Sequence, residues 1–123
     1  MKFFVYGTLK VGGRFAERFD SLRVNSMPAS VEGFHLFDLG SFPGILPGNG
    51  VVYGELHEYG EDVTRAMDTI EGYRSDDEDN SLYLRREVEV TTATGKTDKA
   101  SIYIFNRKDY DDSKMIESGV WKL

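Results

Sequence analysis

Nine residues at the start of the chain constrain its fold more than any other stretch. Met1 to Leu9 reads Met-Lys-Phe-Phe-Val-Tyr-Gly-Thr-Leu, followed by Lys10 and the pair Gly12-Gly13. An apolar run this short, ended by glycine, predicts a strand buried on both faces and central in a sheet. Gly7 supplies backbone freedom where the strand ends, and Thr8 adds a hydroxyl beside a series of free amides. Successive N–H groups at such a turn form a concavity suited to an anion, a carboxylate in particular. A tight turn leaving a strand accounts for the same residues, so both readings stand at this level.

The remaining pattern is mostly extended. Phe15, Phe19 and Leu22 are spaced for a short helix over Arg14 to Leu22, and Pro28 marks a break. Val31 to Leu39 reads as a strand covered on both faces, with a bulge or close backbone approach at Gly33. Gly40 to Gly50 holds two Pro-Gly steps and reads as a loop; its Phe42, Ile45 and Leu46 predict that it packs over a site or a barrel end. Val51 to Tyr59 alternates as a strand. Val63, Ala66, Met67 and Ile70 then give the clearest helix, with Glu61 and Asp62 in its first turn and Gly72 closing it.

Ser75 to Ser81, with four acidic residues in a row, reads as a solvated loop. Tyr83 to Thr91 and Lys99 to Phe105 form a hairpin about the turn at Thr94-Gly95. The tail from Asp109 carries a further acidic cluster, and its Met115, Val120 and Trp121 are expected to pack back on the body. No repeat or linker interrupts this order. It predicts one α+β domain over residues 1–123: a mixed, largely antiparallel sheet curled into a small barrel with flanking helices.

Composition narrows the function. A net charge of −6 with scattered basic residues argues against nucleic acid as a partner. No apolar run approaches the ~20 residues of a membrane span, and no signal-peptide pattern opens the chain, so a cytoplasmic location is expected. With no cysteine, disulfides, thiolate metal sites and cysteine nucleophiles are excluded. His35 and His57 are the only histidines and lie in predicted strands, so no metal site is expected. Gly7 to Arg14 fails as a phosphate loop because Gly13 stands where the lysine belongs, and Gly95-Lys96-Thr97 lacks the earlier glycine, Val90 standing in its place. The acidic runs lack the spacing of a calcium loop, and Ser41 has no nucleophile-elbow context.

Glu71 is the candidate for chemistry. It follows Ile70, the last apolar position of the helix, and precedes Gly72 and Tyr73. A carboxylate there faces the negative end of the helix dipole, and apolar neighbours push the same way, raising its pKa toward the range of a general acid–base. A solvent-facing helix end is the alternative, and local sequence leaves the two open.

The chain resembles the γ-glutamylcyclotransferase-like family, in particular its small members. The resemblance rests on Val5-Tyr6-Gly7-Thr8-Leu9, Gly40 through Pro47, Val52-Tyr53-Gly54-Glu55-Leu56, Met67-Asp68 through Glu71-Gly72-Tyr73, Tyr83, Arg85, Val88 and the strand through Tyr103. Membership implies a compact barrel flanked by helices, Tyr6, Gly7, Thr8 and Leu9 as the loop binding a glutamyl group, and Glu71 as acid–base. It implies cleavage of a γ-glutamyl amide by its own α-amine, giving 5-oxoproline and an amine or amino acid without cofactor or metal. The alternative is a binding module holding a small carboxylate in the same pocket. Tyr83 and Tyr103 are candidates for the pocket lining, with ordinary core tyrosines as the favoured reading. The chain ends two residues after Trp121, so any element a longer tail contributes is expected to be missing. The partner implied is a small γ-glutamyl compound; leaving amine and oligomeric state are open.

Overall fold

Strand β1 (Lys2–Val5) lies between two neighbours and is buried on both sides, as its apolar run predicts. In the computed structural model, which describes residues 1–107 and 110–123, Phe4 points into the barrel interior with Leu36, Ile45, Val52 and Ile102. Phe3 and Val5 point outward, into a second cluster with Phe19, Tyr59, Val63 and Met67. Two phenylalanines at 1% exposure on opposite faces of one short strand each contribute on the order of 1.5–3 kcal/mol. This double burial is what joins the two halves of the core.

After β1 the chain makes one 3₁₀ turn (Ala16–Phe19), then β2 (Arg23–Asp38), β3 (Pro43–Tyr59), α1 (Thr64–Glu71), β4 (Tyr83–Thr92), β5 (Thr97–Phe105) and the two-residue β6 (Met115–Ile116). The sheet order is β3-β1-β5-β4-β2-β6, and β2 also pairs with β3, so five strands close into a barrel with β6 as an added edge. All the pairings are antiparallel except β1 with β5. No helix among the described residues is long and apolar enough to cross a membrane.

Two expectations fail in the same place. Pro28 does not break the chain: β2 runs straight through it, with Pro28 opposite Glu55 and its carbonyl accepting from the Ala93 N–H at 3.0 Å. The segment from Gly40 to Gly50 is not a loop either, because β3 begins at Pro43 and only residues 39–42 turn. Here Gly48 and Gly50 make room rather than turns. A Cβ on either would collide with the His35 ring, at 2.1 Å for Gly48 and 2.6 Å for Gly50. The bulge expected at Gly33 is present, as a register shift between Glu32 and Phe34.

Smaller departures have local causes. The helix expected over Arg14 to Leu22 is a single 3₁₀ turn, a segment too short to hold α-helix by itself and fixed by the packing of Phe15, Phe19 and Leu22. Glu61 and Asp62 precede α1 instead of entering it, and Asp62 accepts from the Thr64 N–H at 3.0 Å. The acidic segment is largely exposed but anchored, since Glu78 binds Arg86 and the Tyr73 hydroxyl. In the tail, Trp121 packs on the barrel while Met115 and Val120 stay exposed. Asp109, where the tail's acidic cluster begins, lies outside the described residues.

Candidate active site

Helix α1 ends at Glu71 because Gly72 takes a left-handed conformation, φ 67°, and returns its N–H to the carbonyls of Asp68 and Thr69. Glycine meets that conformation without strain. Leu82 N–H then donates to the Gly72 carbonyl at 2.9 Å, bringing the chain back beside the helix end and into β4. The last helical side chain is thereby left facing a cavity of about 170 Å³. That volume suits an amino-acid-sized ligand better than a drug-sized one.

The cavity gathers every site residue read from the sequence: Tyr6, Gly7, Thr8, Leu9, Glu71, Tyr83 and Tyr103 all line it. It also includes residues that the sequence reading missed as site residues, namely Arg14, Phe15, Pro43, Ile70 and Leu82, with Phe42 beside them. Phe42 and Pro43 left a signal, since their apolar segment was expected to cover a site. Arg14 left none, because a lone arginine after a glycine pair reads as a solvated helix face.

Glu71 as a whole is half-buried, while its carboxyl end is densely surrounded by protein. Burial alone pushes its pKa up from the ordinary 4.5 to about 7. No charged neighbour is needed for the shift. The cost of ionising a carboxyl taken out of water is sufficient, and it places the group where it can both take and give a proton at neutral pH.

Three phenols lie close enough to feel the charge of Glu71. Burial first, and that charge after it, raises the pKa of Tyr83; Tyr6 and Tyr103 are raised mainly by burial, with Glu71 a smaller contributor. All three stay neutral at physiological pH. Their hydroxyls are occupied within the protein: Tyr6 donates to the Tyr103 carbonyl, Tyr83 to the Pro43 carbonyl and Tyr103 to Asp68, each at 2.6 Å. Tyr83 and Tyr103 are therefore core residues and pocket walls at once, shaping the cavity with their rings.

The turn after β1 contributes Gly7, Thr8 and Leu9 to the lining. Lys10 N–H closes a turn onto the Gly7 carbonyl at 3.0 Å, and Phe15 N–H closes the wider loop onto the Thr8 carbonyl at 3.0 Å. Among the described residues, the amides of Gly7, Thr8 and Leu9 make no hydrogen bond. Gly7 is required by the close approach of Pro43, whose Cγ would lie 2.6 Å from a Cβ at that position. Glu55 fixes the far side of the loop, accepting from Val11 N–H at 2.9 Å and pairing with His57 at 2.8 Å. His57 itself is wholly buried and bonded to the Tyr59 hydroxyl. No group of three metal-ligating side chains converges among the described residues.

Comparison with known proteins covers nearly the whole chain. A family model described as gamma-glutamyl cyclotransferase, AIG2-like, matches residues 3–123. The chain is 32% identical over 120 residues to a gamma-L-glutamyl-butirosin B gamma-glutamyl cyclotransferase of Niallia circulans, covering 97% of this chain and 74% of that protein. The crystal structure of an AIG2-like protein from Mus musculus superposes with a TM-score of 0.71 at 25% identity, covering 98% of this chain and 87% of the other. The solution structure of YtfP from Escherichia coli gives 0.62 at 30% identity, covering 98% and 96%.

Proposed function

The chain belongs to the gamma-glutamyl cyclotransferase, AIG2-like family, and from that premise we propose that it cleaves a γ-glutamyl amide, releasing 5-oxoproline. It is an enzyme of the cyclotransferase type. One observation carries the substrate reading: Glu71, whose pKa burial raises to about 7, lines one small cavity together with Gly7, Thr8 and Leu9, whose amides make no hydrogen bond among the described residues.

In this reading the α-carboxylate of the glutamyl group binds the amides of Gly7, Thr8 and Leu9. Glu71 removes a proton from the α-ammonium. The freed amine attacks the γ-carbonyl carbon, forming the ring C–N bond. The attack is intramolecular and closes a five-membered ring, so orientation supplies much of the acceleration. Glu71 then delivers its proton to the departing nitrogen as the original amide C–N bond breaks. The second α-ammonium proton leaves with the amine, which is an ammonium ion at neutral pH. Tyr6, Tyr83 and Tyr103 shape the cavity and keep water from Glu71. The step as written calls on no cofactor.

The test is a product screen by mass spectrometry. The protein is incubated with γ-glutamyl amino acids, γ-glutamyl-ε-lysine and γ-glutamyl amines, with Glu71→Gln in parallel. 5-Oxoproline is expected from the wild type, with the rate reduced by about 10²–10⁴ in the variant. Full activity in Glu71→Gln would remove it as the base. Binding without product from any substrate would turn the reading to a module that holds a carboxylate without turnover.

A further inference from the structure

The loop after β1 carries two cations, and they are held differently. Lys10 is tied away from the cavity, its Nζ donating to the Trp121 carbonyl at 2.6 Å. Arg14 lines the cavity while remaining exposed, so it stands at the mouth. Its guanidinium lies over the Phe15 ring, 4.9 Å from the centroid. The backbone beneath it is fixed by Gly13 N–H to the Lys10 carbonyl at 2.7 Å and by the Phe15 bond to Thr8. Among the described residues Arg14 has no ion-pair partner.

Charge in the cavity is sparse. Of the side chains lining it, Arg14 is the only cation and Glu71 the only anion. Arg14 is exposed while Glu71 is half-buried, so the two stand at different depths of the same cavity. With the α-carboxylate on the amides of Gly7 to Leu9 and the scissile bond against Glu71, the leaving portion extends toward the mouth. There it meets a planar guanidinium already held against an aromatic ring, an arrangement suited to bidentate binding of a carboxylate. An amine carrying a second ammonium would meet the same positive charge with no second carboxylate in the lining to receive it.

We propose that Arg14 is a specificity residue that binds a carboxylate on the leaving group, directing the enzyme to γ-glutamyl amino acids over γ-glutamyl amines. The proposal rests on the cyclotransferase reading above, and its test separates the two. γ-Glutamyl-alanine and γ-glutamyl-ethylamide differ by that one carboxylate. The wild type is expected to favour the first in kcat/KM by about tenfold, the effect of one charge-assisted contact at a solvent-exposed mouth. In Arg14→Gln the ratio falls toward one, and Arg14→Lys keeps part of it. A ratio unchanged in Arg14→Gln overturns the proposal, as does an equal loss on both substrates, which would assign Arg14 to the glutamyl half. Calorimetric titration of both compounds into Glu71→Gln, with and without Arg14→Gln, reads the same preference without turnover. If the wild type forms no product while that Arg14-dependent binding preference persists, the cyclotransferase reading fails and the carboxylate site stands.

Discussion

Tyr103 and Asp68 join the barrel to the helix that carries the proposed base. The Tyr103 hydroxyl donates to Asp68 Oδ1 at 2.6 Å, across 35 positions of sequence. Arg85 Nε donates to the same oxygen at 2.9 Å, so β4 and β5 both grip α1 one turn before Glu71. The side chains of Arg85 and Asp68 are 30% and 19% exposed, which leaves the pair partly shielded from water.

Asp68→Ala is therefore expected to act on both stability and catalysis. It leaves a guanidinium and a phenol without their partner in a partly buried site, a loss of about 2 kcal/mol. Thermal unfolding should show the drop. The activity of the folded fraction should fall as well, because the last turn of α1 is no longer fixed against the cavity. Tyr103→Phe removes one bond of the set and should do less on both counts. Equal effects from the two would mean that the Arg85 pair contributes nothing.

Burial of Glu71 makes activity and stability respond to pH in opposite directions. The folded pKa of about 7 lies above the ordinary 4.5. Between those values the folded state binds more protons than the unfolded, so this group's contribution to stability is full below about 4.5 and is lost as pH rises to about 7. The loss amounts to roughly 3 kcal/mol. The base form populates over the same upper range, so kcat/KM should climb through pH 7. Urea unfolding of Glu71→Gln should show a variant more stable than the wild type at pH 8, with the gap closing toward pH 5. A difference independent of pH would refute burial of an ionisable carboxyl as its source.

Gly7→Ala should collide with the Pro43 ring, at 2.6 Å from its Cγ. Pro43 is both the first residue of β3 and the acceptor for the Tyr83 hydroxyl. Relief of the clash must displace the loop after β1 or the Tyr83 wall, at a cost of about 1–3 kcal/mol. The expected result is a lowered melting temperature together with a raised KM. A raised KM with unchanged stability would mean that the loop yields alone.

Local sequence was enough for several parts of the site. The apolar run of β1, the helix closed by Gly72, the β4–β5 hairpin and the position of Glu71 at the helix end all follow from short-range pattern, and each is present. Burial of Glu71 was one of two open readings, because a helix-end carboxyl faces solvent or core according to what packs across from it.

What local pattern could not supply lies in contacts between distant segments. The 16-residue β2 and 17-residue β3 run through Pro28 and both Pro-Gly steps because pairing along the whole hairpin outweighs residue preferences that read as turns. That pairing carries Pro43 to Gly7. Arg14 at the mouth, Tyr6 on the Tyr103 carbonyl and Asp68 between Tyr103 and Arg85 are likewise products of barrel closure. The chain by itself singled out the candidates for chemistry: one carboxyl, one amide-rich turn and a set of tyrosines. Closure of the sheet decided that they share one cavity, since burial and charge depend on neighbours that a linear pattern does not place.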